Sequence, residues 1–410
     1  MNMWRVLFWL LWGSAALWEA LLHLLEWRYL KGKTGLPLDY KETTYLPSFK
    51  WDRSVAYAKE RLKVSLGETL TNYALYALIV MWGVPTLIDE YLMLKIRAPL
   101  LASGLLGASM ALLFWICSLP WSWIKVFDVE RTFGFSRVTK KTFFRDQAIK
   151  LILMSLVSFG GLGCFALLFK SPLWPLYLAI ALILFEIVAM FILPFVIIPM
   201  FFKLTPLTQG EVAEKLESFL AEMGLKNSGI YVADASKRTL HSNAFVSGLG
   251  KAKKIVLFDT LLSSLTPDEV CAVFGHELGH WISRHAIKRM GLLWTAQIIL
   301  ILLAYIMFNA GFGQSFHAQS PQTFAVYAFL FLNMLVTLFF QPLILSVSRR
   351  QELEADFFAA SRLGGHQMAQ ALSKISTSNL GWLTSHPLYE MWYLTHPPIY
   401  ERLKALKDIP

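Results

Sequence analysis

The sequence predicts an all-α polytopic membrane protein, and three observations carry that prediction. Hydrophobic residues make up 56% of the 410 and charged residues only 16%, with a mean hydropathy of +0.49, which leaves too little polar surface to clothe a soluble globule of this size. Apolar stretches of bilayer-crossing length recur along the chain. Lysine and arginine gather in alternate connections between them. The net charge of +10 does not make nucleic acid a partner, because the basic residues lie in short loops beside apolar segments. Anionic headgroups and insertion topology account for them there.

The stretches near Val6–Leu25, Thr69–Leu87, Pro99–Leu119, Ile149–Phe169, Leu173–Met200, Leu292–Ala310 and Phe324–Val347 each come to the about 20 residues a bilayer requires. That makes seven transmembrane helices. The fifth contains Glu186 and Pro194 and is longer than a crossing needs, which implies tilt, a kink or continuation beyond the membrane. The chain therefore divides into a membrane region 1–201 with five spans and basic loops, a soluble region 202–290, two further spans over 291–347, and a tail 348–410. The three cysteines, Cys117, Cys164 and Cys271, lack the paired spacing of a zinc ribbon or redox pair and read as buried free thiols.

Basic loops stay on the cytoplasmic side. The loop after the first span carries Lys31, Lys33, Lys41, Lys50, Arg53, Lys59, Arg61 and Lys63, and the loop after the third carries Lys125, Arg131, Arg137, Lys140, Lys141 and Arg145. The turn after the fourth has only Lys170, and Gly311–Thr323 has no Lys or Arg; Lys95 and Arg97 run mildly against the trend. Seven spans then place the N-terminus outside and put 202–290 on the same cytoplasmic side as the tail. A cleaved signal peptide is the rival reading of the first span, with Gly13-Ser14-Ala15-Ala16 as its small-residue site, but it would export the basic loop that follows. Glu19, His23 and Glu26 share one helical face of that span and call for a polar, water-filled interior or a partner.

The strongest local pattern is His276-Glu277-Leu278-Gly279-His280. Thr266 as N-cap, Pro267 in the first turn and Glu269 closing a capping box mark a helix start ahead of it, so both histidines share a face. Two imidazoles and one carboxylate around an ion leave a fourth position for water, the arrangement of a catalytic zinc site, with Glu277 as general base. Alone, the string also fits an amphipathic surface helix with satisfied histidines. His285, about 140° round the helix from His280, reads as an ordinary polar residue. The missing carboxylate is sought in Ser348–Asp356, which continues the last span: Glu352 is the best candidate ligand, with Asp356 one turn on to orient an imidazole, and Glu354 is its rival.

These residues, together with Phe133-Gly134-Phe135 and Thr139, Ser236-Lys237-Arg238, His241–Phe245, Ile255–Leu262, Thr395-His396-Pro397-Pro398 and Glu401-Arg402, resemble the type I CAAX prenyl protease family, integral-membrane zinc peptidases that cut prenylated proteins at their C-terminus. The resemblance runs over nearly the whole chain. It implies one Zn2+ held by His276, His280 and Glu352, Glu277 as base and Asp356 behind the ligands. It further implies that His396 and Arg402 approach the reaction centre, His396 toward the oxyanion and Arg402 toward substrate carbonyl or carboxylate groups. Asn243, Ala244 and Phe245 become the edge segment along which an extended substrate pairs. Seven helices would enclose a chamber, beside a zincin-like unit carrying that small edge strand. The implied partners are a peptide or protein substrate, prenylated or not, and membrane lipid; no oligomer is predicted. The absence of a long polar insertion between Leu262 and Ser264 and of a retrieval signal at the C-terminus favours a bacterial inner membrane over the endoplasmic reticulum. The alternatives are a quality-control membrane zinc protease and, from another class, a transporter in which Glu19, Glu26 and Glu186 would matter and Glu277 would not.

Overall fold

The computed structural model describes residues 3–32, 50–225, 229–247, 254–407 and 409. Helix α1, Met3–Lys31, crosses first. The second stretch is not one straight rod: α2, Trp51–Trp82, and α3, Val84–Lys95, meet at a 56° bend where Gly83 turns left-handed (φ 62°) and Pro85 opens the next helix. Among the described residues, six helices are long and apolar enough to cross alone, and seven with this broken pair. Helix α4, Pro99–Trp123, runs on through a π-helical turn to Thr132, and α5, Lys140–Leu168, packs along it. Helix α6, Trp174–Ile192, continues through a π-helical turn at Leu193–Ile197, where Pro194 removes an amide donor; the surplus length foreseen in the fifth span is this bulge and the turn Ile198–Phe201.

The soluble unit follows. Strand β1, Leu204–Pro206, precedes helix α7, Glu211–Glu222; then come β2, Gly229–Ala233, β3, Ala244–Ser247, and β4, Lys254–Phe258. The sheet order is β1-β2-β4-β3, with β2 and β4 parallel and the outer pairs antiparallel. This leaves β3 at an edge. Helix α8, Asp259–Ser264, leads into α9, Pro267–Ile282, whose start is closed by the expected capping box between Thr266 and Glu269. Helix α10, His285–Asn309, returns to the membrane, and α11, Pro321–Leu335, passes through a π-helical turn into α12, Gln341–Leu363, giving one 43-residue rod. The tail adds α13, Gly365–Ser378, α14, Pro387–Tyr393, and α15, Ile399–Leu406.

Two cores result. One lies among the spans, around Phe8, Ile79, Leu106, Phe312, Tyr327 and Leu330; the other joins the sheet, α7, α9, α12 and α13 through Leu216, Val256, Leu257, Phe274, Leu278 and Ala359. Helix α12 runs across residue 348 without a break, so one helix carries both membrane and catalytic segments. Cys271 is buried, whereas Cys117 and Cys164 are half-buried.

The polar face of α1 does not open on water along its whole length. Glu26 is fully buried, accepting from Trp382 Nε1 (2.9 Å), Ser385 Oγ (3.1 Å) and the His386 amide (2.7 Å), and buried His23 meets Ser65 Oγ at 2.9 Å. Glu19 accepts from the hydroxyls of Tyr73 (2.9 Å) and Tyr393 (3.0 Å). These groups dock the tail onto the first span. Glu186 accepts from Trp294 Nε1 (2.7 Å) and Gln297 Nε2, which ties α6 to α10.

Candidate active site

Helices α9 and α12 come into close contact because small residues face one another. A Cβ on Gly279 would stand 3.1 Å from Ala355 Cα, and one on Gly275 would stand 2.8 Å from Leu363 Cδ1. That approach carries Glu352, from the membrane rod, to the two histidines. His276 Nε2 and His280 Nε2 are 3.2 Å apart, and Glu352 Oε2 and Oε1 stand 3.3 and 3.4 Å from them. Bonds of about 2.0–2.1 Å to a tetrahedral ion put neighbouring ligand atoms about 3.3–3.4 Å apart. The three side chains fit such an ion, and no other group of three among the described residues meets the same test. Glu352 Oε2 is buried without a hydrogen-bond partner, an arrangement that is costly unless a cation satisfies it.

The other ring nitrogens are held as ligands require. His276 Nδ1–H donates to Asp356 Oδ1 at 2.8 Å. Asp356 is itself gripped by Arg402, Nε to Oδ2 at 2.7 Å and Nη2 to Oδ1 at 2.6 Å, all of it buried. Arg402 thus turns its planar fork toward Asp356, and the expected contact with substrate carbonyl or carboxylate groups is not what its geometry offers. His280 Nδ1 lies 2.9 Å from His285 Nδ1, and His285 Nε2 lies 3.1 Å from Glu354 Oε2. A proton chain therefore runs from His280 through fully buried His285 to Glu354. The expectation for His285 rested on an unbroken helix, but α9 ends at Ile282, and Arg284 adopts a left-handed conformation (φ 53°) that returns His285 to His280. Only a turn signal at Ser283-Arg284 could have revealed this, and neither residue type provides one. Glu354 stands behind the group of His276, His280 and Glu352 and is not among the three that could hold an ion.

Burial opposes charge on His276, yet Asp356 and Glu352 against it push its pKa up to about 9. The site thus favours positive charge at its centre. Burial also raises the carboxyl of Glu277, which the neighbouring imidazoles pull the other way. Glu277 shares a cavity of about 630 Å³ with both histidines, Glu352, His396 and the edge residues Asn243, Ala244 and Phe245. Asn243 accepts the Phe258 amide through its carbonyl (3.0 Å), which fixes the start of β3. His396 stands at the rim, its Nε2 3.3 Å from Glu352 Oε2, its Nδ1 2.8 Å from Thr395 Oγ1, and more than half exposed. It also lines a second cavity of about 420 Å³ with Arg61, Ser65, Tyr389 and Tyr393.

Comparison with known proteins gives this arrangement its class. Residues 206–409 match Peptidase family M48, and residues 26–203 match the CAAX prenyl protease N-terminal region of five membrane helices. The protein is an integral, multi-pass membrane metalloendopeptidase. CAAX prenyl protease 1 of Saccharomyces cerevisiae is 34% identical over 315 residues, covering 71% of this chain and 69% of that protein; the Homo sapiens CAAX prenyl protease 1 homolog is 28% identical and covers 96% and 93%. The crystal structure of S. mikatae Ste24p superposes with a TM-score of 0.87 over 99% of both chains at 26% identity. The chain belongs to peptidase family M48, among the CAAX prenyl proteases.

Proposed function

We propose that the chain is a zinc endopeptidase that cleaves peptides or proteins near a prenylated C-terminus, with His276, His280 and Glu352 as metal ligands and Glu277 as the base. The convergence of those three ligand atoms within a buried site, one carboxylate oxygen without a hydrogen-bond partner, is the observation that carries this reading. When bound there, zinc supplies a Lewis acid that acidifies water and polarises a carbonyl. An extended substrate adds to the free edge of β3, where main-chain groups of Asn243, Ala244 and Phe245 set its register against the cavity. Glu277 accepts the proton of the attacking water and delivers it to the departing amine nitrogen, so that one C–N bond breaks as one C–O bond forms. His396 stands where an imidazole N–H could donate to the developing oxyanion. Asp356 with Arg402, and His285 with Glu354, hold the imidazoles in the ligating tautomer.

The catalytic unit meets the basic loop after the third span: Ser136 bridges Thr239, and the Arg137 amide donates to the Arg238 carbonyl (2.9 Å). That supports a cytoplasmic active site, and the missing insertion after Leu262 supports a bacterial inner membrane. The prenyl preference follows the names of the relatives. It is tested by comparing cleavage of a farnesylated C-terminal peptide with its unprenylated twin, with Glu277→Gln as the control. The farnesylated peptide should be cut faster, and Glu277→Gln should lower turnover by about 10²–10⁴ while zinc content stays near one per chain. Equal rates on the two peptides would remove the prenyl preference, and unchanged turnover in the variant would remove the base.

A further inference from the structure

A third cavity, of about 680 Å³, lies away from the catalytic centre, where α5 begins and the fifth span ends beside the sheet. Five of its lining side chains are basic, Arg145, Lys203, Lys237, Arg238 and Lys254, against one lining acid, Asp234. Some of that charge is already matched: Lys237 pairs with Asp234 at 2.7 Å, and Arg238 and Arg145 both reach Asp146. No carboxylate pairs with Lys203 or Lys254 among the described residues. The Lys254 ammonium instead sits 4.1 Å from the centre of the Phe195 ring and 5.1 Å from that of Tyr231.

Phe195 fixes the level of this cavity relative to the bilayer. It belongs to the end of the fifth span and is exposed, as are Val196 and Met200 beside it and Phe144 on α5. An ammonium resting on a lipid-facing ring stands where acyl chains give way to headgroups. We infer that this cavity binds the phosphate headgroup of an anionic phospholipid, with the acyl chains lying along Phe195, Val196 and Met200. A soluble phosphate would find the same cations but would leave the apolar rim unused, so the rim favours a lipid. Nothing in the hydrolytic reading requires this site. The bound lipid would tie α5, α6, β2 and β4 together and so anchor the sheet at the membrane surface.

The test uses the full chain in neutral detergent and native mass spectrometry. Phosphatidylglycerol and phosphatidylcholine of identical acyl chains are titrated separately, and inorganic phosphate is offered as a competitor. The wild type should retain phosphatidylglycerol in preference to phosphatidylcholine, and the Lys203→Gln/Lys254→Gln variant should bind phosphatidylglycerol about tenfold or more weakly, since each basic side chain near an anionic headgroup contributes measurably. Peptide cleavage in detergent should be unchanged in the variant, which establishes that it is folded. Equal retention of the two lipids, an unaltered affinity in a folded variant, or complete displacement by millimolar phosphate would each overturn the assignment. If the variant does not fold, Lys254→Arg provides the second reading: it keeps the charge and must keep the lipid preference, and its loss would also overturn the proposal.

Discussion

Glu352 and Glu354, two residues apart on α12, face different partners: one turns its two carboxylate oxygens to the Nε2 atoms of His276 and His280, the other receives the hydrogen-bond chain from His285. Glu352→Ala should therefore abolish stoichiometric zinc binding, whereas Glu354→Ala should keep the metal with at most a 10–100-fold loss of affinity, both read by metal analysis after dialysis. Protons compete for the same nitrogens. The raised pKa of His276 stabilises the ion-free fold fully below the unfolded value of about 6.5, and that contribution disappears as pH rises through about 9. Zinc affinity should run the opposite way, falling up to about tenfold for each pH unit below 9 as one proton must be displaced. Titrations at several pH values check the sign, and a flat profile would refute the proton competition. The helix start at Thr266 and the shared face of His276 and His280 were legible in the sequence because capping and periodicity are local. His285 and the grip of Arg402 on Asp356 were not, because a left-handed residue and the fold of a distant tail create them.

At the scale of elements, the catalytic geometry depends on how closely α9 and α12 approach. Gly279 permits a contact that a branched side chain would close off. Gly279→Val should separate the helices and cost about 1–3 kcal/mol, with zinc content falling in parallel. A thermal melt together with metal analysis checks it, and full zinc content in a destabilised variant would show that the spacing is not critical. The edge strand was expected from resemblance and is now seen as one strand of a four-stranded sheet, most of which the sequence reading did not resolve. β1 and β3 are too short to show a period, and the residues of β4 are nearly all buried, so alternation is absent where it would have helped.

Across the whole molecule the spans were legible from hydropathy, because a bilayer imposes length and apolarity on each one separately. The bend at Gly83, the docking of Glu26 against Trp382, Ser385 and His386, and the continuity of the seventh span into the catalytic unit all arise from contacts between distant parts. That continuity has a mechanical consequence. The carboxylate at Glu352 is carried by a rod that continues a membrane span, while its two imidazole partners ride on a helix buried in the core of the soluble unit. Hydrophobic thickness therefore acts on one side of the site more directly than on the other, and a mismatch tilts the rod at a modest energetic cost per ångström. Proteolysis in vesicles of graded acyl length should pass through an optimum and decline on either side, whereas the same enzyme in detergent micelles should show no such dependence; invariant rates across the vesicle series would mean that the rod is mechanically decoupled from the ligand it carries.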